Sequence, residues 1–166
     1  MRLIEIWNAD LQKSFELFNT FLANENGYEN TVFGMDFNQY KQYVSLCNSH
    51  AKGEKLREGF VPETKYILED DNGNYVGSFN LRHYLNEALE NGAGHIGYGI
   101  SEKYRKKGYA TEGLRLALLK AKNIGIKEAY LSCNKDNVGS LKAQLKNGGY
   151  IHHEDNKEYY VRIKIV

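Results

Sequence analysis

Between Gly94 and Leu119 (GHIGYGISEKYRKKGYATEGLRLALL) the chain changes period once, and that change limits the folds open to it. Gly94 to Ile100 has the length and residue types of a strand. After a short turn, Arg105-Lys106-Lys107-Gly108-Tyr109-Ala110 leads into a segment where Leu114, Ala117, Leu118 and Ala121 recur at i, i+3, i+4 and i+7, the stripe of an amphipathic helix. Gly125 ends that helix, and Glu128 to Cys133 reads as the next strand. A strand, a basic glycine-containing loop, a helix and a second strand in this order require helices packed on a sheet.

The flanking segments agree with a mixed fold. Leu3, Ile4, Ile6 and Trp7 make a short strand candidate. Asn8 or Asp10 can then cap a helix carrying Leu11, Phe15, Phe18 and Leu22. A second helix is expected from Asp36 to about Ser49, and His50 to Gly59 has no clear period and reads as loop. After Pro62, Thr64–Leu68 and Tyr75–Leu81 flank the turn Asp70-Asp71-Asn72-Gly73-Asn74 and predict a hairpin. Tyr84 to Asn91 is a connector. Val138 to Lys146 suits a helix stopped by Gly148-Gly149, and Tyr150–His153 with Tyr159–Ile165 forms a closing pair of strands. The first third holds no recognisable motif and is the natural place for a lid or substrate wall.

At 166 residues the chain fits one α+β domain, spanning 1–166. Its 22 Lys and Arg against 21 Asp and Glu give a net charge of +1, which argues against a global grip on nucleic acid or an anionic membrane. No apolar run approaches the roughly 18 residues of a membrane span. Cys47 and Cys133 show no metal-ligand spacing and build no disulfide framework, and Arg2 and Glu5 come too early for a signal peptide, so a cytoplasmic setting is expected.

Gly92-Ala93-Gly94-His95-Ile96-Gly97 spells G-x-G-x-x-G, but a loop precedes it and a strand follows, the reverse of the dinucleotide-binding order. The segment at Gly108 is better suited to an anion. A glycine there lets the backbone come close to a ligand, and the free N–H groups of a first helical turn favour a pyrophosphate. Arg105, Lys106 and Lys107 add positive potential. The alternative is a solvated basic run that happens to precede a helix.

Arg105-Lys106-Lys107-Gly108-Tyr109-Ala110 resembles the [RQ]-x-x-G-x-[GA] signature of the GNAT superfamily of acyl-CoA-dependent N-acyltransferases. Cys133-Asn134-Lys135-Asp136-Asn137-Val138-Gly139-Ser140, closing at Lys146-Asn147-Gly148-Gly149-Tyr150, looks like that family's fourth motif, and the likeness covers about 64–165. Ile96-Gly97-Tyr98 resembles the branch that includes ribosomal-protein-alanine acetyltransferases.

The resemblance implies a mostly antiparallel, V-splayed central sheet flanked by helices. It implies acetyl-CoA as co-substrate, no metal, and transfer of the acetyl group to a primary amine, either a small molecule or a protein N-terminus, by direct attack in a ternary complex. The main chain of Tyr98 and Ile100 would hold the acetyl carbonyl and pantetheine arm. The backbone from Arg105 through Lys106, Lys107, Gly108 and Tyr109 to Ala110 would hold the pyrophosphate, and Asn137 and Ser140 would meet the far side of the cofactor. His95 stands where many relatives carry a catalytic Glu; it is either the base or a packing residue. The family's frequent general-acid Tyr is replaced by Gln144. A non-catalytic CoA-binding domain therefore stays open as the alternative, and a binder of nucleic acid through Arg105–Lys107 is disfavoured by the charge balance.

Overall fold

Alternating apolar residues after Pro62 become the central hairpin of the molecule. The computed structural model describes residues 1–166. In chain order the elements are β1 (Arg2–Glu5), α1 (Leu11–Phe18), β2 (Asn24–Glu25), β3 (Tyr28–Glu29), α2 (Phe37–Ala51), β4 (Glu63–Glu69), β5 (Tyr75–Arg82), α3 (Glu87–Glu90), β6 (Ile96–Ile100), α4 (Tyr109–Asn123), β7 (Glu128–Asn134), α5 (Val138–Lys146), β8 (Tyr150–Glu154) and β9 (Glu158–Lys164). One antiparallel sheet runs β1-β4-β5-β6 and a second runs β7-β9-β8.

Period-2 register sorts the larger sheet into two faces. Tyr66, Leu68, Phe79, Leu81, Ile96 and Ile100 pack against Leu114, Ala117 and Ala121 of α4. Ile67 faces the other way, into a cluster with Phe18 of α1 and Tyr40 and Val44 of α2. Full burial of a side chain such as Phe79 or Leu81 stabilises by about 1.5–3 kcal/mol.

The two sheets meet at one end of β6 and part at the other. Gly94 and Leu131 form an isolated bridge, and the His95 N–H donates to the Tyr130 carbonyl at 2.7 Å. No further rung joins β6 to β7, so the strands diverge. This is the expected V-splayed, mostly antiparallel arrangement.

Five details differ from expectation: α1 ends at Phe18, short of Leu22, the Tyr84–Asn91 connector contains α3, and three more concern strands. Ile6 and Trp7 leave β1 for a 3-10 turn, because Ile6 is drawn into the α1–α2 cluster as the chain bends towards α1. Gly94 and His95 precede β6 rather than belonging to it. Gly94 sits at φ +68°, and a Cβ there would lie 2.1 Å from the Tyr130 carbonyl oxygen, so the strand junction needs a glycine. The hairpin β2–β3 was not expected at all. Its turn, Asn26 (φ 52°) and Gly27 (φ 83°), is the Asn-Gly pair that two-residue hairpins favour.

Candidate functional site

Four of the five α-helices have their N-termini closed by a side chain: Asp10 on α1, Asp36 on α2, Asn86 on α3 and Asn137 on α5. α4 has none. Its N-cap is Gly108 at φ +84°, and its first internal bond is from Glu112 N–H to the Gly108 carbonyl. The N–H groups of Tyr109, Ala110 and Thr111 are left for something outside the protein, where the helix dipole favours negative charge. A Cβ built on Gly108 would meet nothing within 4 Å, so the space above this turn is free for a ligand.

That turn forms one wall of a cavity of about 570 Å³ in the mouth of the splay. Arg105, Lys106, Gly108, Tyr109 and Ala110 line it from the α4 side, Tyr98 and Ile100 from β6, and Asn137 and Ser140 from α5. Lys107 is exposed and outside the lining, its Nζ 5.7 Å from the Tyr104 ring centroid. The Tyr109 side chain turns back to the β4–β5 loop, where its hydroxyl donates to Asp70 at 3.2 Å; its backbone is the part near the cavity.

Strand parity decides which backbone groups of β6 are free. The Ser101 N–H donates to the Val76 carbonyl, and the Arg82 N–H to the His95 carbonyl, so odd-numbered residues of this stretch bond to β5. The main-chain groups of Tyr98 and Ile100 therefore face away from β5, towards the splay. One is already used: Arg105 Nε donates to the Ile100 carbonyl at 3.0 Å, while its guanidinium pairs with Glu25 at 2.9 Å. Arg105 latches the β2–β3 hairpin to the end of β6.

Across the splay, Tyr98 reaches α5. Its ring stacks on Phe79 (centroids 5.1 Å, 16° between planes), and its hydroxyl lies 2.9 Å from Ser140 Oγ and 3.2 Å from the Ser140 carbonyl oxygen. Burial pushes the Tyr98 phenol up to about 12. Gln144 Nε2 donates to the same Ser140 Oγ at 3.2 Å, and its buried Oε1 has no partner. Asn137 is occupied at both ends of its amide: Oδ1 accepts from the Ser140 N–H at 3.1 Å and Nδ2 donates to the Asn26 carbonyl at 3.3 Å. It positions the hairpin and the helix, and its second N–H and the second lone pair of Oδ1 remain for a ligand at the cavity wall.

His95 lies apart. It is 7% exposed and outside the cavity lining, in a shallow groove with His83, Tyr84 and Tyr130. Its Nδ1 accepts the Tyr130 N–H at 3.0 Å. Burial, with Arg162 and Arg82 nearby, lowers its pKa to about 4, so it is neutral at pH 7. Neutral imidazole has one lone pair, and here the backbone uses it. The expectation of a catalytic base at His95 is corrected on that ground; the geometry is that of a residue pinning β7 to the start of β6.

Sequence reasoning passed over part of this site. Phe21, Glu25, Asn26 and Tyr28 close the cavity from the N-terminal third, and the Asn26-Gly27 turn was the signal for them. Lys142 and Lys146, one helical turn apart on α5, add positive charge opposite Arg105 and Lys106.

A sequence model of the family described as acetyltransferase (GNAT) domain matches residues 6–149. No curated protein is similar enough in sequence to count as a relative. Among solved structures, the N-acetyltransferase PseH of Campylobacter jejuni is 14% identical, over 99% of this chain and 98% of that one, with a TM-score of 0.66. The spermidine N-acetyltransferase of Vibrio cholerae, in complex with CoA and spermine, is 17% identical over 98% and 94%, with a TM-score of 0.64. The ribosomal-protein-S5-alanine acetyltransferase of Vibrio fischeri is 16% identical over 99% and 91%, with a TM-score of 0.67. At these identities the likeness is one of fold.

Proposed function

The chain belongs to the GNAT family of acetyltransferases, and on that premise we propose that it moves the acetyl group of acetyl-CoA to a primary amine by direct attack in a ternary complex. The observation that carries the reading is the uncapped N-terminus of α4 opening into a cavity at the splay. A pyrophosphate suits three free N–H groups beside a left-handed glycine, and Lys106, Lys142 and Lys146 suit a polyanion. The free main-chain edge at Tyr98 suits a pantetheine amide, which would bond to it as an added strand.

The co-substrate supplies an activated acetyl thioester; the protein holds it and steadies the departing sulfur. In the reaction a C–N bond forms and the C–S bond breaks. One proton leaves the amine nitrogen and one ends on sulfur, relayed through water. His95 takes no part, because its lone pair is bound to Tyr130. Stabilisation of the thiolate falls, in this reading, to the Ser140–Tyr98 hydroxyl pair that lines the cavity. A phenol at about 12 holds its proton more tightly than a thiol near 8.5, so the pair donates hydrogen bonds and keeps its protons.

The test is release of free thiol from acetyl-CoA across a panel of primary amines. Amine-dependent release is expected. Tight acetyl-CoA binding with no release from any amine would replace this reading with that of a non-catalytic CoA-binding domain.

A further inference from the structure

Lys65 is the most deeply buried lysine of the chain, at 4% exposure, and its ammonium forms no ion pair or hydrogen bond. What surrounds it is aromatic: Nζ lies 5.8 Å from the Phe18 ring centroid and 6.0 Å from that of Tyr43. Burial opposes its charge, while Tyr43, Tyr28, Cys47 and Glu63 pull its pKa upward. A buried cation is expensive to keep without a partner, and the one carboxylate that pulls on it, Glu63, pairs with Arg82 at 3.8 Å instead.

Register shows where Lys65 belongs. It stands opposite Asn80 on β5, and Asn80 stands opposite Gly97 on β6, so the three form one row on the sheet face turned away from α4. A Cβ built on Gly97 would meet nothing within 4 Å, which marks open space at the end of the row beside Tyr98. The Tyr28 ring covers the next position, Gly99, where a Cβ would come within 2.9 Å of it. Four buried side-chain atoms lack a hydrogen-bond partner, and three belong to this face: Asn80 Oδ1, Ser78 Oγ and Tyr28 Oη. The pattern is a donor side chain at Lys65 and an acceptor side chain at Asn80 on neighbouring strands, whose backbones lie roughly 4.8 Å apart.

We infer that the Lys65–Asn80–Gly97 row is the acceptor subsite and that it takes a small amine carrying a carboxylate, of the amino-acid type. The carboxylate pairs with Lys65, and the amine sits over Gly97 with one N–H directed to Asn80 Oδ1. The amine nitrogen then lies beside the Tyr98 main chain. This inference rests on the acetyl-transfer reading for the direction of attack; the pairing with Lys65 stands without it.

The experiment compares matched acceptors: serine with ethanolamine, histidine with histamine, phenylalanine with phenethylamine. With saturating acetyl-CoA, the carboxylate-bearing member is expected to show kcat/KM higher by tenfold or more. In Lys65→Met that advantage should shrink to within about threefold, since a buried charge pair is lost, while acetyl-CoA affinity stays as in the wild type. The melting temperature should hold or rise, because an unpaired buried charge is gone; a lysine with a purely structural role would lower it. If Lys65→Met does not fold, Asn80→Asp puts a carboxylate into the row and should turn the preference towards the carboxylate-free amine. Equal use of both members by the wild type, or a preference that survives in both variants, overturns the inference. Binding separates this from the transferase reading: calorimetry of N-acetylserine against N-acetylethanolamine with the CoA-loaded protein needs no turnover. Tighter N-acetylserine binding, lost in Lys65→Met, supports the subsite even if no amine releases thiol, and equal binding overturns it.

Discussion

The main-chain N–H of Tyr130 meets Nδ1 of His95 at 3.0 Å, so the one lone pair of a neutral imidazole is spent at the junction of the two sheets. The His95 ring also packs edge-on against Tyr130, with centroids 5.6 Å apart. His95→Ala is therefore expected to lower the melting temperature and leave kcat per folded molecule within about threefold of wild type. Activity and melting curve measured on one preparation decide it; a stable variant with a hundredfold lower kcat would restore His95 as a base.

The same histidine sets a pH dependence of stability. Its folded pKa of about 4 lies below the ordinary 6.5, so the unfolded chain binds the extra proton between those values. Stability from this site is complete above about pH 6.5 and falls away as pH drops towards 4, by on the order of 3 kcal/mol. Urea unfolding at a series of pH values should show that loss in the wild type and a flatter profile in His95→Ala. Parallel profiles would mean that His95 is not the group responsible.

How far this molecule could be read beforehand follows from the range of each interaction. The bounds of α5, Val138–Lys146, come from local signals, an Asn cap and a Gly-Gly stop, and these lie within the segment itself. Gly108 and its helix turn were legible for the same reason. The role of His95 was not, because the atom that claims its lone pair is 35 residues away on another sheet. Lys65 reads in sequence as one charge in a hairpin strand. Its isolation exists only once α1 and α2 close over β4. The Asn26-Gly27 turn was a missed local signal: the pair was there to be seen, flanked by residues too polar to suggest strands.

Gly108 tests the anion cradle. Its φ of +84° costs a branched residue about 1–2 kcal/mol, and the new side chain would point into open cavity space rather than at protein atoms. Acetyl-CoA at a hundred times its Kd should stabilise the wild type by about 2.7 kcal/mol, read as a rise in melting temperature. Gly108→Val should lose that rise altogether. An undiminished rise would remove the helix N-terminus from the cofactor site.

Within the basic run the three residues separate. Lys107 is outside the cavity, so Lys107→Ala should leave acetyl-CoA affinity unchanged, and exposed Lys106→Ala should weaken it by about 1 kcal/mol or less. Arg105→Ala removes both the bond to the Ile100 carbonyl and the pair with Glu25, releasing the hairpin that closes the cavity. Calorimetry should show a loss of tenfold or more for Arg105→Ala. Equal losses at all three positions would mean that a diffuse field, and no particular contact, holds the phosphates.

In the proposed reaction, with Gln144 occupying the position of the family's frequent tyrosine, Tyr98 backs Ser140 in steadying the departing sulfur. Phenylalanine at this position keeps the stack on Phe79 and deletes the contact with Ser140 Oγ, so Tyr98→Phe should fold and bind acetyl-CoA as the wild type does. Without the phenol behind it, Ser140 is a poorer donor to the departing sulfur. We expect kcat to fall by roughly tenfold in Tyr98→Phe and up to a hundredfold in Ser140→Ala, the range for loss of a donor aimed at developing charge. The double variant should be little worse than Ser140→Ala, because the two hydroxyls act as one unit. With its phenol near 12, Tyr98 stays protonated throughout the assay range, so the wild type should show no alkaline decline from it below about pH 10. If thiolate departure limits the rate, a thioester with a lower leaving-group pKa should recover more activity in Tyr98→Phe than in the wild type. Wild-type kcat in both single variants would show that sulfur leaves without help from this pair.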